Sequence, residues 1–167
     1  EIPPSPRSAR APVAFGRFIH IREEPSAGTP RIALLRARDD VDDDAIIGWV
    51  RDTAGYVSLA YGRFPNPGAH VVVMPVGRNG WQSDSPGPVG RVVRDGGESI
   101  ELFIDERRPI EDFYDDWTAT HEFSHLMLPF LKSSHRWISE GFAQYYQNVL
   151  LARAGRYEVQ RAWQKLY

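Results

Sequence analysis

The chain has 167 residues, a formal net charge of −2 at neutral pH and no cysteine. Its length suits one domain with a substantial core, and its near-neutral charge gives no reason to expect nucleic acid or an anionic membrane as a partner. The lack of cysteine excludes disulfides and thiolate metal sites, and no apolar run approaches the ~20 residues that span a bilayer.

The N-terminal region divides into an arm and two predicted strands. Residues 1–12 are rich in proline and arginine, which predicts an extended arm without a fold of its own. Apolar side chains then recur at about every second position over residues 13–21, which predicts a strand, and residues 31–36 predict a shorter one. A turn is expected between the two strands, at 23–30. Because the arm has no fold of its own, the domain is predicted to cover residues 13–167.

Five aspartates cluster at the start of the next segment (Asp39, Asp40, Asp42, Asp43 and Asp44). A calcium loop is one interpretation, but the alternating acidic positions, central glycine and terminal glutamate of such a loop are absent. Carboxylates also cap the free N–H groups at the beginning of a helix. Apolar residues follow at helical spacing, so the pattern favours a helix that runs to about Tyr61 and ends at Gly62.

Three further strands are predicted before the most informative motif. Residues 70–76 form a continuous apolar run, which is typical of a strand that is covered on both faces. The following loop, 78–90, is rich in glycine and proline and contains Trp81, which either lines a cleft or folds back on the core. Residues 89–94 and 99–104 predict a β-hairpin, which would turn through the Asp-Gly-Gly sequence between them.

Residues 111–128 return to a helical pattern and contain the sequence His121-Glu122-Phe123-Ser124-His125. Two histidines four positions apart lie about 40° from each other around a helix, so both imidazoles can face one metal ion. Glu122 lies about 100° round from His121, where it can instead take a proton from a water on the metal. The alternative is a pair of core histidines on an amphipathic helix.

A second helix is predicted at 136–154, with Ser133 or Ser134 as its N-cap, and Glu140 near its beginning. Glu140 can provide the third protein ligand. Three protein ligands leave one position open, which distinguishes a catalytic zinc site from a closed structural one. Zinc lowers the pKa of a bound water to about 7, so that Glu122 can complete its deprotonation during attack on a carbonyl.

Together, the two segments resemble the gluzincin metallopeptidases, and most closely their glycyl aminopeptidase family and the related peptidase-MA-like domains. The resemblance covers residues 117–146, although the interval before Glu140 is shorter than in the larger aminopeptidases. It implies one zinc ion per chain, with His121, His125 and Glu140 as ligands and Glu122 as the base. The fold expected with it is α+β: a small mixed β-sheet with a packing helix, then a thermolysin-like two-helix zinc site.

Two further site residues are predicted with the help of this resemblance. Related aminopeptidases bind the free amine of the substrate through a glycine-rich segment that ends in glutamate, and Glu98 follows Gly-Gly at a similar place. The same residues also fit an ordinary turn. The oxyanion of the intermediate needs a donor besides the metal, and Tyr145 is predicted in this role, with Tyr146 and His135 as alternatives. Both tyrosines also fit core positions.

Metal-bound histidines normally donate their second N–H to a carboxylate or carbonyl, and three aspartates precede the motif closely enough to accept it (Asp112, Asp115 and Asp116). A third helix is predicted over Tyr157–Tyr167. Because this pattern has no cap, and because the family's catalytic domain continues into further helices, we expect an additional C-terminal portion of the same protein.

The predicted function is zinc-dependent hydrolysis of peptide bonds in a peptide or protein substrate, as an aminopeptidase that uses Glu122 to activate water. A non-specific zinc endopeptidase and an inactive relative that binds peptides are the two alternatives. The residues leave the cellular compartment open, and only the family resemblance favours an extracytoplasmic location.

Overall fold

The computed structural model describes residues 18–21, 30–35, 40–77, 85–87, 89–94 and 97–166, with backbone only at 18–21. Several sequence predictions lie outside these ranges: the N-terminal arm, nearly all of the turn at 23–30, the loop around Trp81 and the centre of the hairpin turn.

The described residues form an α+β fold, as predicted. The strands are β1 (Phe18–Ile21), β2 (Arg31–Leu35), β3 (His70–Pro75), β4 (Val89–Val93) and β5 (Ser99–Ile104). The α-helices are α1 (Asp43–Tyr61), α2 (Ile110–Asp115), α3 (Thr118–His125), α4 (Arg136–Arg153) and α5 (Val159–Gln164), and a short 3₁₀ helix at Ser133–His135 precedes α4. No helix in the described part of the chain is long and apolar enough to cross a membrane.

The five strands form one mixed sheet in the order β1-β2-β3-β5-β4. The three central strands run parallel, and the edge strands β1 and β4 are antiparallel to their neighbours. The predicted hairpin is confirmed as β4 and β5, with Gly90 opposite Leu102. β4 is the edge strand of the described sheet, and it contacts α3, the helix that contains both histidines.

Helix α1 connects β2 to β3 and has the boundaries that its sequence predicts. The Asp42 carboxylate accepts a hydrogen bond of 3.0 Å from the N–H of Ala45, which confirms that the acidic residues begin a helix. Gly62 ends the helix in the left-handed conformation, with φ of 81°, which costs glycine little because it has no Cβ.

The two faces of the sheet are buried to different extents. On β3, Val71 and Val73 are buried, whereas Val72 and Met74 are partly buried. The helices that contact the sheet among the described residues, α1 and α3, also contact each other. They therefore form a layer on one face of the sheet, and the main core lies between that layer and the strands.

The helix predicted over 111–128 is two helices, α2 and α3, separated at Asp116 and Trp117. Asp116 has an extended conformation, with φ of −82° and ψ of 145°, and its carboxylate accepts from the N–H of Thr118 at 2.8 Å and from the hydroxyl of Ser85. Aspartate competes in this way with the hydrogen bonds of a continuous helix. The break lets α3 turn into the core, where all eight of its residues are buried.

Helix α4 agrees with the prediction apart from its cap. Ser133 and Ser134 lie in the 3₁₀ helix, and no side chain caps the beginning of α4. Gly155 follows the helix with φ of 71°. Helix α5 is shorter than predicted, and Tyr157 precedes it as a buried residue whose hydroxyl donates to the carbonyl of Asp115 at 3.1 Å.

Candidate active site

Three potential metal ligands converge where α3 meets α4. One ligand atom each from His121, His125 and Glu140 lies within 4.8 Å of the others. The Oε2 atom of Glu140 is 3.3 Å from Nε2 of His121 and 3.7 Å from Nε2 of His125. Ligands at about 2.1 Å from a tetrahedral zinc lie about 3.4 Å from one another. The two distances from Glu140 therefore fit a zinc-sized cation, and imidazole nitrogens and a carboxylate oxygen are ligands that zinc accepts.

The other ring nitrogen of each histidine is held by a side chain of α4. Nδ1 of His121 lies 2.7 Å from Oε1 of Gln147, and Nδ1 of His125 lies 2.9 Å from Oγ of Ser139. An amide oxygen can only accept, so Nδ1 of His121 donates, and Nε2 keeps the free lone pair that a metal requires. Both rings are thus oriented with Nε2 toward Glu140.

The sequence prediction missed these orienting partners. Gln147, rather than one of the three aspartates before the motif, accepts the proton of His121. Asp112 pairs with Arg108 at 2.7 Å, and Asp116 is used in the break before α3. Gln147 lies seven positions after Glu140, two turns along the same face of α4, and that spacing was the signal available in the sequence.

Arg136 holds the Glu140 carboxylate from the solvent side. Nε of Arg136 donates to Oε1 of Glu140 at 3.0 Å, one turn earlier on α4, which leaves Oε2 toward the two histidines. Burial disfavours the charged form, but the bond from Arg136 and the nearby imidazoles prevail and lower the pKa of Glu140 below its ordinary value. Glu140 is therefore ionised at neutral pH, the state in which a carboxylate can bind a cation.

The buried side of the cluster combines a neutral imidazole with a carboxyl that ionises near neutrality. Burial and the neighbouring His121 lower the pKa of His125 to about 4, so this ring is neutral at pH 7. Glu122 is only 9% exposed, and burial together with the charge of Glu140 raises its pKa to about 7. A pKa close to the working pH is the property that favours general base catalysis.

A cleft of about 540 Å³ lies beside these side chains. Its walls are strand β4 with the following Arg94 on one side, and the segment 129–131 with the beginning of α4 on the other. Glu122, His125 and Glu140 line it together. Among the described residues, Glu122 and Glu140 are the only acidic ones in the lining of the cleft. The cleft is large enough to hold several atoms of a peptide beside the three potential ligands.

Glu98 does not line this cleft. Its carboxylate accepts from Nδ2 of Asn66 at 2.6 Å and pairs with Nε of Arg94 at 3.3 Å. Arg94 in turn donates from Nη2 to the carbonyl oxygens of His125 and Leu128, at 2.6 and 2.8 Å. Glu98 therefore supports an arginine that ties the end of α3 to β4, a role that no local sequence pattern indicates.

The predicted oxyanion donors also lie outside the cleft lining. Tyr145 is 43% exposed, and its ring packs edge-on against Tyr146, with centroids 5.2 Å apart. Tyr146 packs against the core, and His135 is exposed with its Nδ1 3.0 Å from the hydroxyl of Ser134. Of the site residues predicted from the sequence, the structure brings together His121, Glu122, His125 and Glu140, but not Glu98 or Tyr145.

One family model matches part of the chain. The model of the M61 glycyl aminopeptidase family matches residues 130–167, a range that contains Glu140 and both C-terminal helices but stops short of His121–His125. No curated protein matches the chain. The family match confirms the resemblance that the motif residues indicated, and it supports a peptidase.

Proposed function

We propose that the protein is a zinc-dependent peptidase in which His121, His125 and Glu140 hold one zinc ion and Glu122 is the general base. The observation that carries this proposal is the convergence of three oriented donor atoms beside a buried carboxylate in an open cleft. A closed structural site would need a fourth protein ligand, and the cluster of potential ligands among the described residues consists of these three.

The mechanism assigns distinct tasks to the residues of the chain. When bound, zinc acts as a Lewis acid that polarises the scissile carbonyl and makes water more acidic. Glu122 takes a proton from the water whose oxygen bonds to the carbonyl carbon. As the carbon–nitrogen bond breaks, Glu122 returns that proton to the departing amine. Gln147 and Ser139 keep the two imidazoles oriented throughout.

The edge of the sheet is suited to hold the substrate. Among the described residues, β4 pairs with β5 alone, and residues 90–93 of β4 line the cleft. An extended peptide can bind to such an edge as an additional strand. The substrate backbone would then pass Gly90 and reach Glu122 with its scissile bond.

The family match favours an aminopeptidase, whereas one feature of the cleft favours an endopeptidase. An aminopeptidase needs an acidic group for the free amine of its substrate. Glu98, the residue predicted for that role, is engaged with Asn66 and Arg94. The acidic residues that line the cleft, among those described, are Glu122 and Glu140, which already have other tasks. We therefore keep an endopeptidase as the second candidate.

One experiment tests both the activity and this distinction. The protein is loaded with zinc, its metal content is measured by elemental analysis, and it is incubated with a peptide mixture in free and N-acetylated forms. We expect one zinc per chain and cleavage that Glu122→Gln abolishes. Cleavage of only the free peptides supports an aminopeptidase, and cleavage of both supports an endopeptidase. Zinc binding with peptide binding but no cleavage would overturn the proposal in favour of an inactive relative.

A further inference from the structure

Gly90, on the edge strand β4, lies directly against the side chain of Glu122. A Cβ atom placed on Gly90 would overlap Cγ of Glu122 and would lie 3.1 Å from Cδ and 3.2 Å from Oε1. No other glycine in the described part of the chain would bring an added Cβ into such an overlap. The Glu122 side chain therefore occupies the space that a side chain at position 90 would need.

The conformation of Gly90 does not explain why this residue is a glycine. The described glycines with positive φ are Gly62, Gly77, Gly97 and Gly155, and Gly90 is not among them. Glycine weakens the interior of a strand, and where it occurs there it often marks a close approach of another group. Here the approaching group is the Glu122 side chain.

Neither side of this contact can move away easily. Glu122 is on α3, whose eight residues are all buried, and helical side chains have few permitted χ1 rotamers. A displacement of its Cγ requires a change of rotamer and so swings the carboxylate away. β4 is paired with β5 through Val89–Val93, and Arg94 ties it to the end of α3.

From this geometry we infer that Gly90 is a positioning residue. Because it has no side chain, it leaves the space in which the Glu122 side chain lies with its carboxylate in the cleft. The inference rests on the proposed function, in which Glu122 is the general base. A methyl group at position 90 displaces this carboxylate. The three atoms nearest to the added Cβ all belong to Glu122. The methyl group should therefore leave His121, His125 and Glu140 in place.

The first test separates metal binding from turnover. Gly90→Ala is compared with Gly55→Ala, a control in α1 whose added Cβ meets nothing within 4 Å. Zinc affinity is measured by competition with a chromophoric chelator, and turnover with glycine p-nitroanilide and an N-acetylated peptide. We expect Gly90→Ala to keep its zinc affinity within about threefold, while kcat falls about 10²-fold or more, as for a lost base. A kcat within about twofold of the wild type would overturn the inference.

The second test does not depend on activity. The urea midpoint of Gly90→Ala is measured in the wild-type background and in the Glu122→Ala background, where the overlapping Cγ is gone. We expect the fall in midpoint to disappear in the second background, because the two positions are directly coupled. An equal fall in both backgrounds would overturn the inference. If Gly90→Ala alone does not fold, the double variant decides: its folding supports the contact, and its failure to fold contradicts it.

The two tests also keep this inference apart from the proposed function. A zinc-loaded wild type that cleaves neither substrate class would contradict the peptidase proposal. The coupling between positions 90 and 122 in urea would still show whether the space at Gly90 holds Glu122 in place.

Discussion

The two helices that meet at the candidate metal centre differ sharply in burial. All eight residues of α3, which contains His121, Glu122 and His125, are buried between β4 and the other helices. The beginning of α4, which contains Glu140, is largely exposed, and Trp137 there is 74% accessible to solvent. One half of the site is therefore set in the core, and the other half is at the surface.

This difference indicates which contacts set the site's properties. A buried polar group that loses its partner bears the full penalty of desolvation, whereas an exposed group exchanges its partner for water. The buried half should therefore be sensitive to each lost contact, and the exposed half should tolerate most of them. The predictions below test that contrast, beginning with the largest expected effect.

Glu122→Gln should lower kcat by about 10²–10⁴-fold, because the substitution keeps the shape of the buried side chain but removes the base. Zinc affinity and the urea midpoint should remain close to those of the wild type. The control is Glu111→Gln, an exposed carboxylate on α2. Peptide turnover within a few-fold of the wild type would mean that Glu122 is not the base.

Gln147→Ala should weaken zinc binding by about 10–100-fold, because it removes the buried acceptor that orients His121. Chelator competition measures this effect. The matched control is Gln144→Ala, on the exposed side of the same helix, which should change the affinity little. Equal affinities for the two variants would contradict the orienting role of Gln147.

Arg136→Met should weaken zinc binding much less than Gln147→Ala does. The Arg136 side chain is 78% exposed, and an exposed ion pair contributes about 0.2–1 kcal/mol, or up to roughly fivefold in affinity. The same competition assay compares the two variants directly. A loss for Arg136→Met as large as that for Gln147→Ala would show that the exposed half of the site is as demanding as the buried half.

Tyr145→Phe should have the smallest effect, because the hydroxyl is on an exposed residue outside the cleft lining. We expect kcat to change by less than about threefold, with zinc affinity unchanged. If Tyr145 instead provides the oxyanion donor that the sequence suggested, kcat should fall by about 10²–10³-fold. Steady-state kinetics on the zinc-loaded protein distinguish these outcomes.

Short-range patterns in the sequence were enough to predict several local features of this protein. The spacing of His121 and His125 places both on one face of a helix, and Asp42 and Gly62 mark the ends of α1 within one residue. The Asp-Gly-Gly sequence between β4 and β5 predicted their hairpin. Each of these features depends on residues only a few positions apart, so local geometry is enough to predict it.

The tertiary structure decided which distant groups meet. The break at Asp116 depends partly on Ser85, Glu98 is drawn to Arg94 and Asn66, and the contact between Gly90 and Glu122 joins a strand to a helix. Most of these partners are far apart in the chain, and several side chains could have competed for each position. Packing of the sheet against α3 selects among them, because a buried polar or charged group must find its partner within the volume that the core leaves available.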